Sequence, residues 1–229
     1  IGLGIPAEPL FRSNYLNENE LLQNVGKLKL IKAEIANIVP LSDVEVKILL
    51  NDFDNSYFGI RNKLMVMLML DSGLRRGEVV NLESKNIFMH NNTMLVQGKG
   101  EKERLVPFGE ETKRYINRYS HMRNEYEKRF FQKEDGTPIT DNTIKMYFQD
   151  LKESTGIIRL HPHLLRHTFA TNYILYGGDV EELRILLGHT SLQMTMKYVH
   201  LATQQRILNQ RYHSHIDKLF CQYDNKLAQ

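Results

Sequence analysis

HPHLLRHTFATNYILYGGDVEELRILLGHTSLQMTMKYVH, residues 161–200, carries the strongest structural signals in the chain. It divides at Gly177-Gly178 into two helices, and Gly188-His189 stops the second. The first helix carries His163 and Arg166 three positions apart, a spacing that puts both side chains on one face. His167, four residues from His163, can share that face. Val180, Leu183, Ile185, Leu186 and Leu187 make the second helix apolar enough to be core. Gly188 then ends it, as glycine commonly ends helices. Tyr198 follows His189 by nine positions, on a segment with weak helix signals. Two imidazoles and a guanidinium can hold an anion, and a hydroxyl sits on a movable segment. That combination points to phosphoryl chemistry.

Composition bounds the rest. The 229 residues are enough for one large domain, or one domain plus part of a second. At 41% hydrophobic and 25% charged the chain reads as an ordinary soluble protein with a real core. The net charge of +3 permits nucleic-acid binding without arguing for it. A single cysteine, Cys221, excludes an internal disulfide and fits a reducing cytosol. The longest apolar run, Leu64–Leu70, is too short to span a bilayer, and no secretory signal is seen. The chain begins at Ile1 rather than Met, which reads as a fragment.

Upstream of this stretch, Gly2, Gly4, Pro6 and Pro9 make the start irregular, and residues 1–40 read as a linker or a remnant of another region. Ser42 is the expected N-cap of a helix with Val44, Val46, Ile48, Leu49 and Leu50 on its apolar side. Ile60–Asp71 is the most apolar helix and the expected centre of the core. Gly73 punctuates it. Arg75 and Glu78, three apart, can share a face, worth under about 1 kcal/mol as a surface ion pair. Residues 87–96 read as a β-hairpin with an Asn-rich turn, and Leu105-Val106-Pro107 as a third strand. The Gly98-Lys99-Gly100 turn lacks the strand–GxxxxGK[ST]–helix context of a phosphate-binding loop, so nucleotide binding is rejected. Glu110–Phe131 reads as a charged helix with Tyr115, Ile116, Tyr119 and Met122 inside. Thr140-Asp141-Asn142 caps a helix with Ile144, Met146, Tyr147, Phe148 and Leu151. Residues 203–219, with Ile207, Leu208, Tyr212, Ile216 and Leu219, read as a terminal amphipathic helix.

Taken together, these segments resemble the tyrosine recombinase (phage integrase) family. The family's H-x-L-R-H, L-G-H and nucleophilic Tyr correspond to His163–His167, Leu187–His189 and Tyr198. Gly73-Leu74-Arg75-Arg76-Gly77-Glu78, continuing to Leu82, resembles its first box, G-L-R-x-[SG]-E-x-x-x-L. Residues 98–104 resemble its G-K-G-x-K-E-R hairpin. The resemblance implies roles. Arg75 and Arg166 would hold the phosphate, with His163 and His189 as further donors or proton carriers. Tyr198 would be the nucleophile and Lys99 the general acid. Glu78 would orient the local structure, and Lys102 and Arg104 would contact backbone phosphates. Arg76 is read as solvated, and His161 and His167 as structural.

The expected fold is mainly α with a small antiparallel β-sheet, that of a tyrosine recombinase catalytic domain covering residues 41–229. Its terminal helix is expected to dock on a neighbouring subunit. The expected function is site-specific DNA cleavage and rejoining through a 3′-phosphotyrosyl intermediate, for integration and excision of a mobile element. Xer-type chromosome resolution, a non-cleaving DNA-binding regulator and a type IB topoisomerase-like enzyme are the alternatives. Expected partners are a double-stranded DNA recombination site, three further copies in a tetramer on two duplexes, and an accessory excisionase-like protein, in the cytoplasm of a prokaryotic cell. No membrane and no cofactor is expected. A zinc site from His161, His163 and His167 is rejected, because Arg166 between them repels a cation and no H-E-x-x-H or cysteine pair accompanies them.

Overall fold

The computed structural model describes residues 39–98 and 103–208. Helix α1 (Asp43–Asn51) starts at Ser42, whose Oγ accepts from the Glu45 N–H at 3.3 Å while the Glu45 carboxylate accepts from the Ser42 N–H at 2.9 Å. This reciprocal cap satisfies two otherwise orphaned donors. Helix α2 (Tyr57–Asp71) is apolar around most of its circumference, and Leu64, Met65, Val66, Leu68 and Met69 are fully buried. At about 1.5–3 kcal/mol for each large apolar side chain removed from water, α2 is the axis of the main core.

Short α3 (Arg76–Asn81) and a 3-10 turn (Ser84–Asn86) lead into strands β1 (Ile87–Phe88), β2 (Thr93–Gln97) and β3 (Glu103–Pro107). They form one antiparallel sheet in the order β1-β2-β3, with Met94 opposite Val106 and Val96 opposite Arg104. Met94, Val96 and Val106 are buried, while Leu105 is exposed, so the strands alternate with the period of two that a half-buried sheet requires.

Helix α4 (Glu110–Ser120) packs on α2 but ends eleven residues before the expected Phe131. Beyond it the chain is irregular, because tertiary burial outweighs helical continuity there. Phe130 and Phe131 turn inward against the Tyr119 ring at 5.4 and 5.6 Å. Arg123 donates to the carbonyls of Phe130 and Arg129, which holds the turn. Met122, expected inside, is exposed. Helix α5 (Asp141–Thr155) starts at Thr140 as expected and buries Ile144, Phe148 and Leu151, whereas Met146 faces out.

Helices α6 (Pro162–Leu175), α7 (Val180–Leu187) and α8 (Gln193–Leu208) complete the described part. Ile185 of α7 is exposed, not core. Tyr198, expected on a movable segment, lies in the second turn of α8, and the helix expected at 203–219 is already continuous from Gln193. The buried residues Thr195, Tyr198 and Ala202 share one face of α8 at helical spacing. A Thr, a Tyr and an Ala carry little of the apolar signal by which helices are read, which is why the segment looked weak. The part of the expected helix beyond Leu208 lies outside the described residues, as do residues 1–38.

Two apolar clusters result. The larger spans α1 to the first turn of α6, ending at Leu164 and Leu165. The smaller joins Ala170 and Ile174 of α6 to Leu183, Leu187, Tyr198 and Ala202. Arg166 lies on α6 between the two.

Candidate active site

The site begins at a glycine. Gly73 follows α2 with φ +64°, and a Cβ there would fall 2.4 Å from the Phe169 ring, so only glycine fits both the conformation and the space. The turn aims the Gly73 carbonyl at Arg166, whose Nη1 donates to it at 2.6 Å. The other terminal nitrogen, Nη2, donates to the Leu187 carbonyl at 2.5 Å. Arg166 is 4% exposed. Burial, and then the charge of Arg75, lower its pKa to about 9, with Glu78 opposing; it remains a cation at neutral pH.

Three successive carbonyls at the end of α7 each receive a different arginine. Leu186 accepts from Arg104 Nε at 2.6 Å, Leu187 from Arg166, and Gly188 from Arg75 Nη2 at 3.4 Å. The last carbonyls of a helix have no partner within it and carry the negative end of its dipole, so they are suited to gathering cations. Gly188 sits in the left-handed region at φ +60°, which ends the helix and turns these groups toward the arginines.

Glu78 ties two of these arginines, Arg75 and Arg104, together. It accepts from the Arg75 backbone N–H at 2.7 Å and from Arg75 Nη1 at 2.8 Å. Arg104 grips it with both terminal nitrogens at 2.9 Å. Burial alone would raise the Glu78 pKa, but the bonds and charge of Arg104, helped by Arg75, hold it below the ordinary carboxylate value. Glu78 thus bonds Arg75 at both its backbone and its guanidinium, and Arg104, expected to contact backbone phosphates, is paired with Glu78 and the Leu186 carbonyl. Its side chain is buried because residue 104 is in phase with Val106 on the inward face of β3. Arg76, read as solvated, bonds Asp141 at 3.1 and 3.2 Å.

The imidazoles divide by depth. His189 is buried, with Nδ1 2.9 Å from Thr195 Oγ1 and its ring nearly parallel to that of Tyr198 at 6.3 Å. His163 is exposed and lines an open cleft of about 530 Å³ with Arg75, Arg76, Asn81, Gln97 and Gly98. His161 is the N-cap of α6, its Nδ1 accepting from the Leu164 N–H at 3.1 Å. Burial, and then nearby cations, lower the pKa of His189 to about 4. His167 falls to about 4 as well, through burial and then Lys197. Both rings are uncharged at neutral pH.

Tyr198 is 1% exposed and its hydroxyl lies 2.8 Å from His167 Nδ1. Burial raises the phenol pKa to about 12, against the pull of Arg166 and Arg75. Lys197 Nζ stands 4.9 Å from the centre of the Tyr198 ring, within cation–π range. The structure thus brings Arg75, Glu78, Arg166, His189 and Tyr198 together, with His163 at the cleft. Lys99 and Lys102 lie outside the described residues, although Gly98, the neighbour of Lys99, lines the cleft.

The sequence gives no signal for Thr195 or Lys197. His167, expected to be a structural, hydrogen-bonded histidine, is hydrogen-bonded to Tyr198 itself, a partner that its place four residues from His163 does not reveal.

Such a site can bind an anion with two arginines and present a phenol oxygen beside them. The profile of the Phage integrase family matches residues 40–205. Tyrosine recombinase XerC of Staphylococcus epidermidis (strain ATCC 35984) is 37% identical over 155 residues, covering 64% of this chain and 51% of XerC. The chain therefore spans about half the length of that relative. The crystal structure of XerA recombinase is similar with a TM-score of 0.67 and 29% identity, over 77% of this chain and 66% of XerA. XerH recombinase bound to a palindromic difH substrate, a post-cleavage complex, shares the fold with a TM-score of 0.63 and 22% identity, over 73% of this chain and 51% of XerH.

Proposed function

The chain belongs to the phage integrase family, and from that premise we propose that it is a site-specific DNA recombinase that cleaves and rejoins strands through a 3′-phosphotyrosyl intermediate. Tyr198 Oη forms the bond to phosphorus as its proton leaves to solvent in the cleft that His163 lines, the bond to the 5′ oxygen breaks as that oxygen takes up a proton, and the phosphodiester energy is kept for rejoining. Arg75 and Arg166 offset the charge that builds on the nonbridging oxygens. The carbonyls of Gly73, Leu187 and Gly188, with Glu78, hold these arginines before substrate arrives, so little reorganisation is needed at the moment of reaction. His163 and His189 add donors, and Lys99, next to cleft-lining Gly98, is the proposed general acid for the 5′ oxygen.

One observation carries this reading: the only hydroxyl among the family's motif positions is docked in the chain's own cationic site, 2.8 Å from His167. Residues 41–229 are read as the catalytic domain and 1–40 as a linker or a remnant of a DNA-binding region. The partner is double-stranded DNA, engaged by four copies on two duplexes with an excisionase-like accessory protein, in a prokaryotic cytoplasm. Among the described residues no helix is long and apolar enough to cross a membrane.

The test is a nicked suicide duplex, carrying a site first selected from random-sequence duplexes with the wild-type chain. Wild type becomes covalently attached to the DNA, and Tyr198→Phe binds the same duplex without attachment. DNA binding without attachment in wild type would instead fit a non-cleaving regulator.

Integration and excision of a mobile element is the proposed role. The likeness to XerC favours a second, Xer-type chromosome resolution. Deleting the gene separates them: loss of an excised circle supports the first, and unresolved chromosome dimers the second.

A further inference from the structure

We propose that His167 is the positioning residue of the nucleophile, accepting the Tyr198 hydroxyl hydrogen at Nδ1 and so fixing both the ring and its lone pairs; this rests on the recombinase reading above. The bond is 2.8 Å long and the rings are 5.6 Å apart, tilted by 44°. The two residues come from different helices, α6 and α8, 31 positions apart. A phenol has one hydrogen and a rotor free to turn. Committing that hydrogen to His167 leaves the oxygen lone pairs to face elsewhere, toward the phosphate held by the arginines.

Several facts agree with this direction. His167 directly follows Arg166, so the group that holds the nucleophile and the group that binds the phosphate stand on one turn of one helix. An uncharged imidazole has one donor and one acceptor nitrogen, and burial keeps this ring uncharged. The Tyr198 ring is fixed on its other sides, by His189 alongside and the Lys197 ammonium near its face. None of these neighbours bonds the hydroxyl, which leaves orientation of the hydrogen to His167. The wide gap between the ordinary acidity of a phenol and the weak basicity of this imidazole argues for orientation rather than for proton removal. Buried Ala170 and Ile174 on α6 and Ala202 on α8 bring the two helices close enough for the bond.

Asparagine separates this role from simple packing, because its Oδ1 occupies nearly the place of Nδ1 and accepts a hydrogen bond without being a base. Single-turnover attachment is measured on the nicked duplex for wild type, His167→Ala and His167→Asn, with DNA affinity by fluorescence anisotropy and folding by thermal melting. Attachment by His167→Ala is expected to slow 10–100-fold, of the order of one hydrogen bond to the reacting group. DNA affinity should stay within about twofold, and His167→Asn should recover to within about threefold of wild type. Attachment by His167→Ala at the wild-type rate overturns the proposal, as does His167→Asn as slow as alanine while still folded.

A DNA-independent measurement separates failure of this inference from failure of the recombinase reading. In 15N-histidine NMR, His167 Nδ1 should carry no proton and should shift on Tyr198→Phe. A protonated Nδ1, or no shift, overturns the inference whatever the chain does to DNA. An unprotonated, shifted Nδ1 supports the hydrogen bond even in a chain that never attaches.

Discussion

A buried phenol is a poor nucleophile, and Tyr198 shows how the residues around it offset this. Burial holds its proton on, while Arg166 and Arg75 pull the other way. Removing either arginine's charge should therefore be severe. Arg166→Ala is expected to slow attachment by about 10²–10³, the usual cost of one preorganised donor, measured in single-turnover assays on the nicked duplex. EDTA should change neither wild type nor variant, since the stabilising charges are guanidinium groups; rescue of an EDTA-inhibited enzyme by zinc or magnesium would contradict that. The buried imidazoles make a second prediction. His167 and His189 titrate near pH 4 in the fold, below the ordinary 6.5. The unfolded chain binds more protons between those values, so stability is full above about pH 6.5 and is lost as pH falls toward 4. The loss from pH 7.5 to pH 5 should be about 2 kcal/mol for each imidazole. Urea titrations across that range should show a slope that His189→Asn reduces, with His161 and His163, also lowered by burial, contributing to what remains.

At the scale of elements, the C-terminus of α7 is the hub. Its last carbonyls gather arginines from the N-cap of α3, from β3 and from α6, and Glu78 closes the network from α3. Arg104 is the test of whether this hub is structural. If it contacted DNA, alanine would weaken binding and spare the fold. Because it pairs with buried Glu78, Arg104→Ala should instead cost about 3–5 kcal/mol by leaving that carboxylate without its main partner, measured as urea stability. Gly188→Ala asks the same question of the backbone. A side chain in the left-handed region costs about 1–2 kcal/mol, and its Cβ would press on Arg104 at 3.3 Å. Both variants should shift Arg75 and lower attachment beyond the stability loss. Helix α8 is held differently, by apolar contact with α6 and by Arg206, whose Nη2 donates to the Ile174 and Leu175 carbonyls at 2.5 and 3.0 Å.

For the whole molecule, the question is how the position of Tyr198 follows assembly. Up to Leu208, α8 packs on its own domain, yet Ile207 and Leu208 are 60% and 80% exposed. Apolar side chains left open at the end of a docked helix fit a contact made by another copy. Tyr198, the proposed nucleophile, and this proposed contact lie on one continuous helix, so a displacement at one end would reach the other. Truncation before Ile207 is expected to spare single-site DNA binding, abolish cooperative assembly and change cleavage. A gel-shift titration decides it: higher-order complexes at the full-chain concentration would show that the end of the helix does not couple copies.

The family, the α2 core and the hairpin are all legible in the letters of the chain, and so are Arg75, Glu78, Arg166, His189 and Tyr198 as the residues proposed for the site. These are legible because periodicity, glycine punctuation and motif spacing are local properties of a chain. The burial of Arg104 is also legible, since it lies two residues from Val106 on the same strand face. The rest depends on contacts between segments far apart in the chain. The carbonyls of Leu186, Leu187 and Gly188 have no side-chain letter to read, so the hub that aims three arginines is invisible in sequence. Burial of Phe130 and Phe131 against Tyr119 ended α4 where helical pattern would have carried it on. The pairing of His167 with Tyr198 depends on α6 meeting α8, a contact that exists only once Ala170, Ile174 and Ala202 have buried their apolar surface together.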